Sequence, residues 1–330
     1  MNFAVIIPLY NRAQYIAEAL DAVLSQSCPP AEVVVVDDGS TDNGPQIVGR
    51  YSERVRLLHL PENQGQQAAR NLGIANIKSD WVALCDSDDI WRTDHLLRQK
   101  QLLESDPQIE FSFSNFQILR NGQIETVSKF DHAPDGYWDD LGRKVISAGW
   151  SFDGNVAPHT IRWHPIFPSA TVFSKRLFNS VGPFDTSLRG LGPEDGEFTL
   201  RCLYKARVGA VPEPTVLIRK HGGNYTGDQL RLLMDEITAL QWIKINHPEA
   251  QSFVDIIDSE IIRRSLVATH DAFSIKRHDI IRILLKDVPR EEQPPSIRLK
   301  GALANMPNAI GLPLNGLLQA TSERLKSKRR

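Results

Sequence analysis

Three carboxylates crowd the stretch "CDSDDIW" at residues 85–91: Asp86, Asp88 and Asp89. They follow the apolar run "WVAL", so the chain leaves a buried strand and meets three like charges almost at once. Like charges this close disfavour one another's ionised forms and call for a compensating cation. A diphosphate cannot bind bare carboxylates, but it can bind a divalent metal that they hold. The stretch therefore points to metal–nucleotide binding, or else to a solvated acidic turn before the next helix. A second acidic pair, Asp37 and Asp38, follows "EVVVV", and Tyr10 with Asn11 follows "FAVIIPL". A third pair, Glu194 and Asp195 in "PEDGEF", opens a helical stretch after a Gly-Pro turn. Acids there gain from the helix dipole, and one of them could equally serve as a base.

The elements that must position these groups alternate in type. "FAVIIP", "EVVVVD", "VRLLHL" and "DWVALCD" are short, β-branched or apolar runs, which suit buried strands. Between them, Ile16, Leu20, Val23 and Leu24 share one helical face, a helix is expected over about 43–52, and "GQQAARNLGIANI" is helical. Thr93 is expected to cap the helix "DHLLRQKQLLES". Such alternation predicts an α/β fold: a Rossmann-like, mostly parallel sheet with right-handed crossovers, flanked by helices. Ligands bind beyond the carboxyl ends of such strands, where the polar clusters fall.

After residue 107, "IEFSFSNFQIL", "SATVFS" and "AVPEPTVLIRKH" read as strands, and "KRLFNSV" and "PEDGEFTLRCLYKA" as helices. Residues 126–165 show little periodicity and are expected to form a long irregular functional loop. Trp138, Trp150 and Trp163 lie in or near it, to stack on a sugar or simply to pack; His159 and His164 receive no metal role. From residue 228 the chain reads as a helical C-terminal extension to 330, ending in the basic tail "SERLKSKRR".

Composition bounds the function. Of 330 residues, 41% are hydrophobic and 24% charged, with a net charge of -2, so no basic field argues for nucleic acid. Cys28, Cys85 and Cys202 form no CxxC pair, which speaks against a disulfide framework or zinc knuckle and fits a reducing cytoplasm. The N-terminus lacks the basic region of a signal peptide, and no uncharged apolar stretch of about 18 residues predicts a transmembrane helix. Neither GxGxxG after the first strand nor GxxxxGK[ST] is present, which weakens the dinucleotide and P-loop readings.

Taken in order, "VIIPLYN", "VVVVDDGSTD", "NQGQQAARNLGI" and "LCDSDDIW" resemble the nucleotide-sugar-binding half of the family two inverting glycosyltransferases, which have the GT-A fold. "GPEDGEFTLR" and "IRKHGGNYT" resemble that family's Glu-Asp motif and late Arg-x-His segment. The resemblance implies a GT-A domain over 1–227, with a nucleotide-sugar-binding half (1–106) and an acceptor half (107–227). It further implies donor contacts from Pro8, Tyr10, Asp38, Arg70 and Asp86. Tyr10 would stack on the base and Asp38 would accept its imino N–H. Arg70 lies where the family approaches the nucleotide, or else is an exposed helix residue. Asp88, with His221 as a further ligand, would hold manganese or magnesium; Asp89 would orient the turn. Asp195 would be the catalytic base, and Glu194 its neighbour or an acceptor contact. The implied partners are a nucleotide-sugar donor, uridine-linked, and a glycan or lipid-linked saccharide acceptor in polysaccharide or cell-envelope synthesis. A peripheral membrane contact through Arg324, Lys326, Lys328, Arg329 and Arg330 would place the enzyme at the inner face of the membrane. Two rivals are a sugar-nucleotide nucleotidyltransferase, which would need a Gly-rich phosphate loop where this chain has "PLYNR", and a catalytically silent glycan-binding protein.

Overall fold

The computed structural model describes residues 1–190, 194–221, 229–307 and 309–315. The chain divides into two compact units, the first covering the described residues up to 221 and the second those from 229.

The first unit is built on one mixed sheet. Its opening strands are β1 (Phe3–Leu9), β2 (Glu32–Asp37), β3 (Arg56–His59), β4 (Trp81–Leu84) and the short β5 (Ile90–Trp91). Helices α1 (Ile16–Leu24), α2 (Gly44–Gly49) and α3 (Gln66–Ala75) alternate with them, and α4 (His95–Ser105) follows. Next come β6 (Ile109–Arg120), β7 (Gln123–Ser128), α5 (Tyr137–Asp140), β8 (Arg143–Ile146), β9 (Gly149–Phe152) and α6 (Ala157–Arg162). The unit ends with β10 (Thr171–Ser174), α7 (Lys175–Val181), α8 (Glu194–Lys205) and β11 (Arg207–Lys220). The strand order is β3-β2-β1-β4-β10-β6-β11-β9-β8, with β5 paired to β11 and β7 to β6. The block β3-β2-β1-β4 is parallel. Beyond it β10 runs antiparallel to both neighbours, and only β6 and β11 are parallel to each other.

Period-two alternation sorts the strand residues onto two covered faces. Ala4, Ile6, Val34, Val36, Val82 and Leu84 join one core with Ala69 and Ile74 of α3. Phe3, Val5, Ile7, Val33, Val35 and Ala83 join the other with Ile16, Leu20 and Val23 of α1 and Leu96 of α4. Being covered on both sides is why these strands read as continuous apolar runs. Helix α3 comes so close to β1 that a Cβ at Gly73 would lie 2.7 Å from Ile6 Cγ2, so no larger residue fits.

Two expectations need correction. Thr93 does not cap α4: Asp94 holds the cap position without a side-chain cap bond, and its carboxylate instead accepts from Arg98 Nε at 2.8 Å. Thr93 offers its carbonyl to the backbone and hydroxyl of Ser27. Residues 126–165 are not one irregular loop, since the β8–β9 hairpin, α5 and α6 lie within them. Their elements are only four to six residues long, too short for periodicity to show. For Trp138 and Trp150 the packing reading holds: Phe130 lies 4.5 Å from Trp138 and 5.7 Å from Trp150, centroid to centroid.

The second unit is helical: α9 (Gln229–Asn246), α10 (Val254–Ser274), α11 (His278–Leu284) and α12 (Pro295–Ala304). Leu233, Ile237, Ala268, Ala272, Ile281 and Leu303 form its core. No helix among the described residues is long and apolar enough to cross a membrane. The basic tail lies outside the described residues.

Candidate active site

The site forms where β1, β2, β4 and β11 end. Pro8 is buried in β1. It is tolerated because β4 stops pairing at Leu84, opposite Ile6. Ile6 gives its carbonyl to Cys85 on that side, so the missing N–H of Pro8 falls beyond the end of β4. Tyr10 follows, 42% exposed. Asn11 then takes the left-handed conformation, with φ 50°. Its side-chain oxygen accepts from the Thr41 backbone at 2.8 Å, while Asp42 accepts from Ala13 N at 2.8 Å. "YNR" and "DDGSTD" are thus tied into one rim.

Asp38 is buried, and both of its oxygens are engaged: Oδ1 accepts from Gln64 N at 2.6 Å and Oδ2 from Gly65 N at 2.8 Å. Burial raises its pKa above the ordinary carboxylate value, against those two amides. Each carboxylate oxygen has a second lone pair, so an imino N–H can still be accepted. Asp37 accepts from Ser40 N and pairs with His59 Nδ1.

Arg70 is not an exposed helix residue. It is 1% exposed, its Nη2 donates to Asp86 Oδ1 at 2.8 Å, and its guanidinium lies 5.6 Å from the Phe184 ring centroid. Burial raises the pKa of Asp86 while Arg70 opposes the rise. Burial likewise raises Asp195, in the first turn of α8; the Arg70 charge lowers it and the Asp86 charge raises it. Arg70 thus gathers two carboxylates that lie 109 positions apart in the chain. The Glu194 side chain lies outside the described residues.

Asp88 faces the other way. His221 Nε2 lies 2.9 Å from its Oδ2, and Arg12 Nε donates to the same oxygen at 3.2 Å. Asp89 is buried; it accepts from Ser169 Oγ and, at 2.9 Å, from Arg219 N. Burial, then the charges of Asp86 and Asp88, push its pKa well up. Ser169 Oγ also accepts from Asp86 N at 2.9 Å, so one hydroxyl joins both sides of the acidic turn.

Sequence reasoning assigned no role to Arg12, Arg219, Tyr15 or Ser169. Arg12 and Arg219 stand inside the quoted segments, beside Asn11 and within "IRKH". Arg219 donates to the Asp88 carbonyl at 2.9 Å and lies 4.9 Å from the Tyr15 ring, which stacks on His221. Nothing local marks Tyr15 or Ser169; only the fold brings them in.

A carboxylate oxygen and an imidazole nitrogen on one point are a donor set that manganese accepts. No group of three or more His, Cys, Asp or Glu that could hold a metal occurs among the described residues. Asp88 and His221 are the residues that would hold such an ion.

The sheet and its flanking helices form an α/β fold shared with solved structures. Among these are Staphylococcus aureus TarS 1–349 in complex with UDP-GlcNAc (TM-score 0.62, 20% identity, 88% of this chain and 83% of that one). Another is the mannosyltransferase PcManGT from Pyrobaculum calidifontis with GDP-Man and Mn2+ (TM-score 0.57, 18% identity, 91% and 79%). Residues 4–138 match glycosyl transferase family 2. Similar proteins include the putative teichuronic acid biosynthesis glycosyltransferase TuaG of Bacillus subtilis, 35% identical over 147 residues, which are 43% of this chain and 58% of that one. Glycosyltransferase GlyG of Streptococcus pneumoniae is 29% identical over 190 residues, 54% of this chain and 58% of that one. The chain thus spans less than two thirds of the length of these relatives.

Proposed function

We propose that this protein transfers a sugar from a nucleotide-sugar donor, uridine-linked, to a glycan or lipid-linked saccharide acceptor, with inversion at the anomeric carbon. The observation that carries the reading is the gathering of Asp86 and Asp195 around Arg70, beside the Asp88–His221 pair. Likeness to a fold solved with UDP-GlcNAc supports the donor class. Likeness to a teichuronic acid biosynthesis glycosyltransferase supports an envelope polysaccharide as the acceptor's destination. The basic tail would then meet the inner face of the membrane.

Tyr10 stacks on the base and Asp38 accepts its imino N–H. Arg70 fixes Asp86 toward the ribose. Asp88 and His221 would hold a divalent manganese or magnesium ion, which when bound would supply Lewis-acid charge. The acceptor oxygen attacks the anomeric carbon as the carbon–oxygen bond to phosphate breaks. Its proton passes to Asp195, and the bonding pair leaves on the diphosphate. A carboxylate whose proton affinity is raised by burial is a better base than a solvated one.

Asp88→Ala tests the metal arm. Calorimetry should show that manganese no longer strengthens uridine diphosphate binding, while the thermal midpoint stays near that of the wild type. Unchanged affinity with metal present would remove Asp88 from the assignment.

A further inference from the structure

Gln67, in the first turn of α3, has no part in the scheme above. It is fully buried, and among the described residues neither its Oε1 nor its Nε2 has a hydrogen-bond partner. Its polar neighbours on the helix are engaged. Gln66 Oε1 accepts from Arg70 Nη2 at 3.0 Å, and the Asn71 carboxamide is tied at both ends to the Phe184 backbone, at 2.8 and 2.9 Å. A buried carboxamide with neither end paired is costly, and such a group in a folded protein calls for a reason.

Gly65 joins this group to the donor site. Its amide is the one that donates to Asp38 Oδ2 at 2.8 Å. Its φ of 94° is one that favours glycine. A Cβ there would lie 3.0 Å from Gln67 Oε1 and 3.1 Å from Arg189 Cγ. The Asp38 carboxylate and the Gln67 carboxamide thus meet at one residue that has no side chain to come between them. The stem of Arg189 lies against the same point. Arg189 is exposed, and its Nη2 donates to Asn63 Oδ1 at 2.6 Å, a surface contact that an incoming ring can displace.

In uracil the imino N–H is flanked by two carbonyl oxygens, both acceptors. A ring that gives its N–H to Asp38 carries one of these oxygens toward Gly65, and a half-turn of the Gln67 carboxamide presents Nε2 to it. We propose that Gln67 is a specificity-determining residue of the donor site: its carboxamide donates to a uracil carbonyl beside the imino group, once the base has displaced the Arg189 stem. This rests on the glycosyl-transfer reading and names the part of the donor that Gln67 recognises.

The test is binding, so that it does not depend on turnover. The full chain is titrated with uridine diphosphate and with its 2-thio and 4-thio analogues, manganese being present throughout. Sulfur is a weak acceptor, so wild type should bind one analogue about tenfold more weakly than uridine diphosphate. In Gln67→Met, uridine diphosphate should weaken by a similar factor and the penalty for that analogue should vanish. Without ligand the variant should melt no lower than wild type, because an apolar chain of the same length replaces two unpaired polar atoms. Kept stability with lost affinity is a pairing that a merely structural glutamine does not give. Four results would overturn the proposal: equal affinity of wild type and variant for uridine diphosphate, a thio penalty that survives the substitution, a lower melting point in the variant, or a loss seen with UDP-GlcNAc alone, which would turn Gln67 toward the sugar. Each of these leaves the transferase reading standing. A wild type that binds no uridine diphosphate would strike that reading, and the role of Gln67 with it.

Discussion

In the first unit, Asp88 meets His221 across 133 positions, Asp89 meets Arg219 across 130 and Ser169 across 80. In the second, Glu260 meets Arg263 and Arg264 three and four residues away, and no carboxylate ion pair among its described residues spans more than 28. The second pattern is what helix faces produce by themselves: neighbours one turn apart, and contacts between adjacent helices. The first cannot arise locally. Each partner comes from a different strand end, and the groups are buried at a cost that only remote partners offset. Charge held from afar marks the working part of the molecule.

Substitutions should therefore separate the two units. The largest effect is expected at Asp195. Asp195→Asn should lower turnover about 100-fold to 10,000-fold while leaving uridine diphosphate affinity unchanged, since the base acts only on the acceptor. The pH profile sharpens this. Asp195 must be deprotonated to act and its pKa is raised by burial. The rate should thus fall as pH drops through a value above the ordinary carboxylate range, and that limb should vanish in the variant. A near wild-type rate would move the base elsewhere, with Glu194 next in line.

Arg70→Met comes second. It strips the guanidinium from a half-buried Asp86, and breaking such a pair costs about 3–5 kcal/mol in urea unfolding. Because the Arg70 charge lowers both Asp86 and Asp195, its loss should also carry the acid limb to higher pH. A stable variant with an unmoved limb would break the claim that Arg70 organises the site.

The smallest effect belongs to the second unit. Lys244 pairs with Asp258 at 2.5 Å between half-exposed side chains of α9 and α10. Lys244→Met should shift the urea midpoint by only about 0.5 kcal/mol and leave nucleotide affinity untouched. A loss of nucleotide binding there would erase the contrast between the units.

Much of this arrangement was legible before folding was considered. The runs of Val and Ile gave β1 and β2, because strands covered on both faces need unbroken apolar sequence. "KRLFNSV" and "DQLRLLMDEITALQWIKIN" fell within a residue of α7 and α9. The antiparallel insertion of β10 between β4 and β6 was not legible, since pairing partners leave no mark on a strand's own residues. Arg70 shows the same limit. Its helix is polar enough to suggest exposure, and only the approach of Phe184 and Asp86 buries it.

The shared hydroxyl of Ser169 has a bearing on how the chain folds. In the βα block up to α4, β1 pairs with β2 and β2 with β3 across fewer than 30 positions, contacts that form early because little loop entropy opposes them. The acidic turn belongs to that block by position but not by support. Its amide at Asp86 and its carboxylate at Asp89 both wait for Ser169, and Asp89 waits as well for the arrival of β11. The nascent chain therefore carries Asp86, Asp88 and Asp89 long before it can hold them in place. The acidic turn takes its shape only when the last strand of the sheet is laid down, so its order is a late event in folding.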